Sequence, residues 1–195
     1  MSLTAEEQTA REALRARQGA GARYDAASAP AEDLLLARRG TAYFARKLAE
    51  LSDSDLNAPS LRGGVRRRAL IAEVGYHARA LAQQVGALRA GDAVQPISPA
   101  AYRAEIAQGA TLPARALRSL VHHASIHLDV EWRDLTDAGW TLSVPLQAGA
   151  VMPLRQTPRL RARVVWQAAL DLGNGGRLAD VPAELRSDLA SPAGH

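Results

Sequence analysis

Leu34, Ala37, Thr41, Phe44, Leu48 and Leu51 recur at spacings of three and four residues. That repeat lines up one face of an α-helix. Ser52-Asp-Ser-Asp55 ends the run. After a turn over Pro59 to Gly64 the repeat resumes with Leu70, Val74, Leu81, Val85 and Leu88, and Gly91 closes it. A third run opens at Pro113 and carries Leu117, Leu120, Val121, Ala124, Leu128 and Leu135. A fourth extends from about Pro158 to Leu172, with Gly173 as a C-terminal stop. Four apolar stripes of this length predict four main helices around one core.

The segments between them predict smaller pieces. Thr4 to Arg17 reads as a short polar helix, followed by a Gly-, Ala- and Ser-rich linker up to Pro30. Ser98-Pro99 starts a short helix with a side-chain cap and a proline in the first turn, and Gly109 ends it. Trp140 to Val144, then Gly149 and Val151, predict a small hairpin or an extended excursion. Asp180 is the expected cap of a last helix from Val181 to about Leu189. The expected fold class is all-α: a four-helix bundle with short accessory helices and one small β-hairpin. Residues 1–30 are expected to form an N-terminal extension and linker, 31–190 the bundle, and 191–195 a tail.

Composition narrows the chemistry. Of 195 residues, 47% are hydrophobic and only 4% aromatic, so the core is built from Ala, Leu and Val. Cysteine is absent, which excludes disulfides, thiolate metal ligands and a protein-borne thiol nucleophile. The net charge is +4, carried almost wholly by arginine because Lys47 is the only lysine. Arginine grips carboxylate and phosphate bidentately, which suits a small acidic partner. Arginine alternates with Asp and Glu along most segments, so no basic stripe for nucleic acid is expected. No apolar run approaches the roughly 20 residues that span a bilayer. Met1 to Arg17 is polar and carries acids, unlike a secretory signal, so no membrane partner and a cytoplasmic location are expected.

Few residues carry chemistry at telling spacings. Glu73 and His77 stand at i and i+4 on the second main helix, and His123 and His127 do so on the third. Together they would offer a carboxylate and three imidazoles to a divalent metal. The simpler reading places His122, His123 and His127 on a solvated flank, because Val121, Ala124 and Leu128 already take the inner face. Arg66, Arg67 and Arg68 follow Gly63-Gly64 at a helix start. They read either as an anion site or as a solvated run. Gly173-Asn-Gly-Gly176 lacks the Lys and Ser/Thr of a phosphate loop. Trp132 and Trp166 read as core, and no local Ser-His-Asp or Cys-His arrangement is present.

Three stretches together carry a resemblance: Gly40-Thr-Ala-Tyr-Phe44, Gly64-Val-Arg-Arg-Arg-Ala-Leu-Ile-Ala-Glu-Val-Gly-Tyr-His-Ala78, and Arg159-Leu-Arg-Ala-Arg-Val-Val-Trp-Gln-Ala-Ala-Leu-Asp-Leu-Gly173. Glu105 to Leu112 and Leu128-Asp-Val-Glu-Trp132 add to it. From about Leu34 to Leu189 the chain resembles the N-terminal helical domain of the mycothiol-dependent maleylpyruvate isomerases, members of the DinB-like group of helical-bundle metalloproteins. The resemblance implies thiol-dependent cis–trans isomerisation of maleylpyruvate to fumarylpyruvate, with a metal that activates the thiol.

Relatives of this kind hold the metal with a His in G-W-T-x-x-x-L-x-x-H and with the Glu and His of R-x-R-E-V-W-x-H. The matching positions here are Glu73, Val164 and Ala168, and Val65 stands where the tryptophan is usual. Aliphatic side chains cannot ligate a divalent ion, so no metal is expected at this degenerate site. Such relatives also carry a smaller C-terminal α/β domain that lends an arginine to the substrate site, and that part is not expected in the 195 residues here.

Glu73 then faces the pocket alone and needs a partner, since a buried unpaired carboxylate is costly. His77, Arg161 and Arg163 are the expected partners. Asp171 is expected to serve as a structural hydrogen-bonding group. Glu73 and His77 are the candidate catalytic pair, and Arg66, Arg67, Arg161 and Arg163 the candidate ligand-binding residues. The expected function is a relative of the isomerases without the metal-dependent reaction, binding a small ligand or a protein partner, with a homodimer as one form. The alternative is an active isomerase or transferase that uses mycothiol or glutathione on a small dicarboxylate, either metal-free or with a metal moved to His123 and His127.

Overall fold

The computed structural model describes residues 4–18, 24–94, 96, 98–145 and 150–190. Its helices are α1 (Ala5–Gln18), α2 (Ala31–Ala49), α3 (Arg67–Ala90), α4 (Pro99–Gly109), α5 (Ala114–Asp134), α6 (Thr157–Asp171) and α7 (Ala183–Ala190). Two short strands, β1 (Ser143–Pro145) and β2 (Val151–Pro153), pair antiparallel with Val144 opposite Met152. Every main element therefore follows the hydrophobic repeats. Gly149, expected at the hairpin's turn, and the tail 191–195 lie outside the described residues.

The bundle consists of α2, α3, α5 and α6. Its closest pairs are α3 with α5 and α2 with α6, while α2 and α5 touch only lightly. On α2 this splits the expected stripe. Leu34, Leu36, Ala37, Gly40, Tyr43, Phe44 and Leu48 are buried, whereas Thr41 is only half-buried at the edge of α5. Gly40 permits the tight α2–α6 approach: a Cβ there would lie 2.6 Å from Val165 Cγ2 and 2.7 Å from the Trp166 ring. The Trp166 indole donates to Leu36 O at 3.1 Å, fixing the register of the pair. Trp132 is likewise core, donating to the buried Thr157 hydroxyl at 3.1 Å. Gly91 ends α3 at φ 79°, a left-handed conformation that glycine adopts without strain.

Arginine's prevalence has a structural use. Carbonyls at helix C-termini have no partner within their own helix. Arg118 donates to Leu48 O at 2.5 Å and Leu51 O at 2.7 Å at the end of α2. Arg67 donates to Leu172 O at 2.7 Å and Gly173 O at 3.1 Å after α6. Arg68 reaches Ala110 O at 2.8 Å and Leu112 O after α4. Each long side chain closes one helix end from a neighbouring helix.

Asp180 corrects a sequence expectation. It does not cap α7; it ends a 3-10 turn over Leu178–Asp180. Its carboxylate accepts the Tyr43 hydroxyl at 2.7 Å and the Arg177 backbone N–H at 3.2 Å. These bonds, with the Arg177 side chain, hold it down at about 2. Among the described residues no helix is long and apolar enough to cross a membrane.

Candidate functional site

Glu73 and His77 lie one turn apart on α3, facing α6. Glu73 does not pair with His77, Arg161 or Arg163. Its partner is Arg62, which comes from the turn before α3 and was not foreseen. Arg62 Nη1 lies 2.7 Å from Glu73 Oε2, and Arg62 Nε lies 3.1 Å from Asp171 Oδ2. Gln167, one turn back on α6, donates to the other Asp171 oxygen at 2.7 Å. One guanidinium thus joins an acid on α3 to an acid on α6. The turn itself is pinned there, since Leu61 N–H donates to Asp171 O at 2.7 Å. Glu73 and Arg62 stay about one-third exposed and Asp171 is mostly buried. Asp171 therefore does hold structure, as expected. Ala168 is buried and Val164 half-buried; both present hydrocarbon alone.

Deeper in the bundle lies a second polar layer. Arg161 is 1% exposed. Its Nη1 donates to Val74 O at 2.8 Å and lies 3.4 Å from His77 Nδ1, and its Nη2 donates to Ser125 Oγ at 3.3 Å. Burial pushes the Arg161 guanidinium down to about 9. It therefore stays protonated at neutral pH. Burial, then the charge of Arg161, pushes His77 down to about 3. A neutral His77 presents Nδ1 as the acceptor to Arg161, which places its proton on Nε2. Tyr102 of α4 closes this side, its hydroxyl donating to Glu73 O at 3.5 Å. Burial, then the charge of Glu73, pushes its phenol above the usual range.

The remaining expected site residues do not join these layers. Arg66 donates to Asn57 O at 2.8 Å, and Arg67 is committed to the end of α6. Arg67 thus meets Leu172 and Gly173, just past the end of α6, roughly 16 Å beyond Arg161 at the helical rise, so the four arginines do not form one cluster. Arg163 is exposed. His122 and His123 are exposed on α5, and His127 pairs at 3.2 Å with Glu131 of its own helix. Among the described residues no three of His, Cys, Asp and Glu come together as a metal would require. The relocated metal site is therefore not assembled.

Arg62, Ser125 and Tyr102 escaped the sequence reading. Only Arg62 left a signal: two acids facing each other across α3 and α6 require a cation between them.

Known proteins share this fold. The family model for the mycothiol maleylpyruvate isomerase N-terminal domain matches residues 37–173. The crystal structure of the mycothiol-dependent maleylpyruvate isomerase superposes with a TM-score of 0.76 at 35% identity, covering 82% of this chain and 67% of that one. A histidine-to-alanine mutant of that enzyme superposes with a TM-score of 0.77 at the same identity and coverage. No curated protein sequence matches significantly. The matched span runs from the second turn of α2 to the stop of α6 and so contains most of α2 and all of α3, α5 and α6. The chain belongs to the mycothiol maleylpyruvate isomerase N-terminal domain family.

Proposed function

We propose that this chain is a maleylpyruvate isomerase-like protein in which a guanidinium has replaced the metal, and that it binds a small ligand or a protein partner instead of catalysing the metal-dependent thiol reaction. One observation carries the reading: Arg62 bridges Glu73 to Asp171, an acid on the same helix as Val164 and Ala168. A divalent ion there would find one carboxylate already paired and two side chains with no donor atom. The residues present do not fit the metal.

The chemical consequence is direct. A free thiol has a pKa of about 8.5 and is mostly protonated at neutral pH. A base or a metal must make the thiolate before it can add to a double bond. Glu73 is held by Arg62, and His77 is held by Arg161 in a form too weakly basic to take a proton at neutral pH. Neither group serves as that base.

The test is an isomerisation assay with maleylpyruvate and either mycothiol or glutathione, run with and without added zinc. No rate above the thiol-only background is expected in any mixture. Turnover that zinc restores would overturn the reading, and so would metal-free turnover abolished by Glu73→Gln.

A further inference from the structure

We propose that the seam between α2 and α5 is a binding site for a monocarboxylate with an apolar chain, whose carboxylate meets the Arg161 guanidinium. This site is distinct from the Glu73–Arg62–Asp171 bridge and does not rest on the function proposed above.

The first ground is an uncompensated charge. Buried charges in proteins are normally paired, because an isolated ion loses several kcal/mol of hydration. Arg161 is the largest fully buried side chain in the bundle. Its contacts are a carbonyl, an imidazole nitrogen and a hydroxyl. No carboxylate of the described residues joins them. Arg62, which is far more accessible, has two carboxylates. A fold that supplies two acids to an accessible arginine and none to the buried one leaves the second charge for a ligand.

The second ground is the space above it. The light contact of α2 with α5 leaves a groove of about 490 Å³, with Arg161 and Ser125 among its lining residues. That volume falls among small-molecule sites, which are mostly apolar with a few placed polar groups. Ala37, Ala45 and Leu48 of α2 and Val121 and Leu128 of α5 supply the hydrocarbon. Arg38, Arg118 and Arg133 also border the groove, against one acid, Asp129. Arg38 is held by Asp25 and Asp129, Arg118 donates to the carbonyls that end α2 and is near Asp53, and Arg133 has a partner too, so the charge left for a ligand lies at the buried end. A guanidinium at that end of an apolar channel selects a carboxylate head on a hydrocarbon tail.

The experiment titrates the full chain with sodium octanoate and with 1-octanol by calorimetry, and follows the Arg161 Nε–H by NMR. Octanoate is expected to bind one to one, at least tenfold tighter than octanol, and to shift the Arg161 signal. In Arg161→Met the preference for octanoate disappears. Ala45→Phe, which fills the groove and leaves Arg161 in place, weakens both probes at least tenfold and keeps the proposal testable if the Met variant does not fold. Equal affinity for the two probes, absence of octanoate binding, or a preference that survives Arg161→Met would each overturn it. So would sedimentation showing that the groove is closed by a second copy of the chain, in a dimer that excludes octanoate and that Ala45→Phe breaks.

Discussion

Arg62 and Arg161 sit on opposite sides of the same problem. Arg62 rises from a turn at the bundle's end, keeps about one-third of its surface in water, and holds two carboxylates. Arg161 is almost wholly buried, borders only the floor of the α2–α5 groove, and holds only neutral groups. The accessible arginine lost little hydration and gained strong partners, so it ties α3 to α6. The buried arginine lost nearly all its hydration and gained weak partners, so it is a cost to the fold. The comparison teaches that a cation's contribution depends on what it exchanged for water. The two seams differ in the same sense: α2 closes on α6 around Gly40 and stands open against α5.

The largest expected effect breaks the comparison at its buried end. Arg161→Ala removes a packed side chain and leaves a void, and should cost about 3 kcal/mol in urea unfolding, as other large-to-small core changes do. Arg161→Met keeps most of the volume and removes the charge. It should remain within about 1 kcal/mol of the parent or exceed it. If both variants lose the same amount, the charge is not the cost assigned to it here.

Gly40→Ala probes the closed seam. Its Cβ meets Val165 and Trp166 well inside van der Waals distance, and overpacking of this kind costs about 2 kcal/mol. Thermal melts that leave the variant unchanged would show that α2 and α6 can separate freely.

Acid acts through His77. Its pKa is about 3 in the fold against 6.5 ordinarily. Between these values the unfolded chain binds the extra proton, so stability is complete above about pH 6.5 and falls as pH drops toward 3. A single group contributes at most about 1.4 kcal/mol per pH unit. His77→Gln should flatten that part of the pH–stability curve by this slope.

The smallest effect belongs to Arg62. Its pairs are partly exposed and screened by water, so Arg62→Ala should cost only about 1 kcal/mol. Arg62→Lys, which presents a single ammonium in place of a two-sided fork, should recover part of that. A double-mutant cycle with Glu73→Gln reads the coupling.

The fold was legible because each main helix carries an apolar stripe at helical spacing and is bounded by glycine, proline or a polar cluster. What the repeat could not reveal is how many neighbours a helix has. Thr41 fits the stripe of α2 but stands at the open seam, while Gly40 and Tyr43, just outside that stripe, are buried toward α6. Asp180 carries the same cap signal for a 3-10 turn as for a helix, and its contact with Tyr43 depends on chain 137 residues away.

The site was half legible. Glu73 could be read as an acid in need of a cation, and Arg161 as an inward arginine. The two do not meet, because a long side chain carries the Arg161 head to Val74 and His77. Arg62 lies in a turn, where periodicity carries no information about direction.

Zinc titration of chelator-free protein by calorimetry, with elemental analysis of the purified chain, tests the central claim that a guanidinium occupies the place of a metal. No stoichiometric binding at micromolar protein concentration is the predicted result. One zinc per chain, held through chromatography and lost in Glu73→Gln, would contradict it.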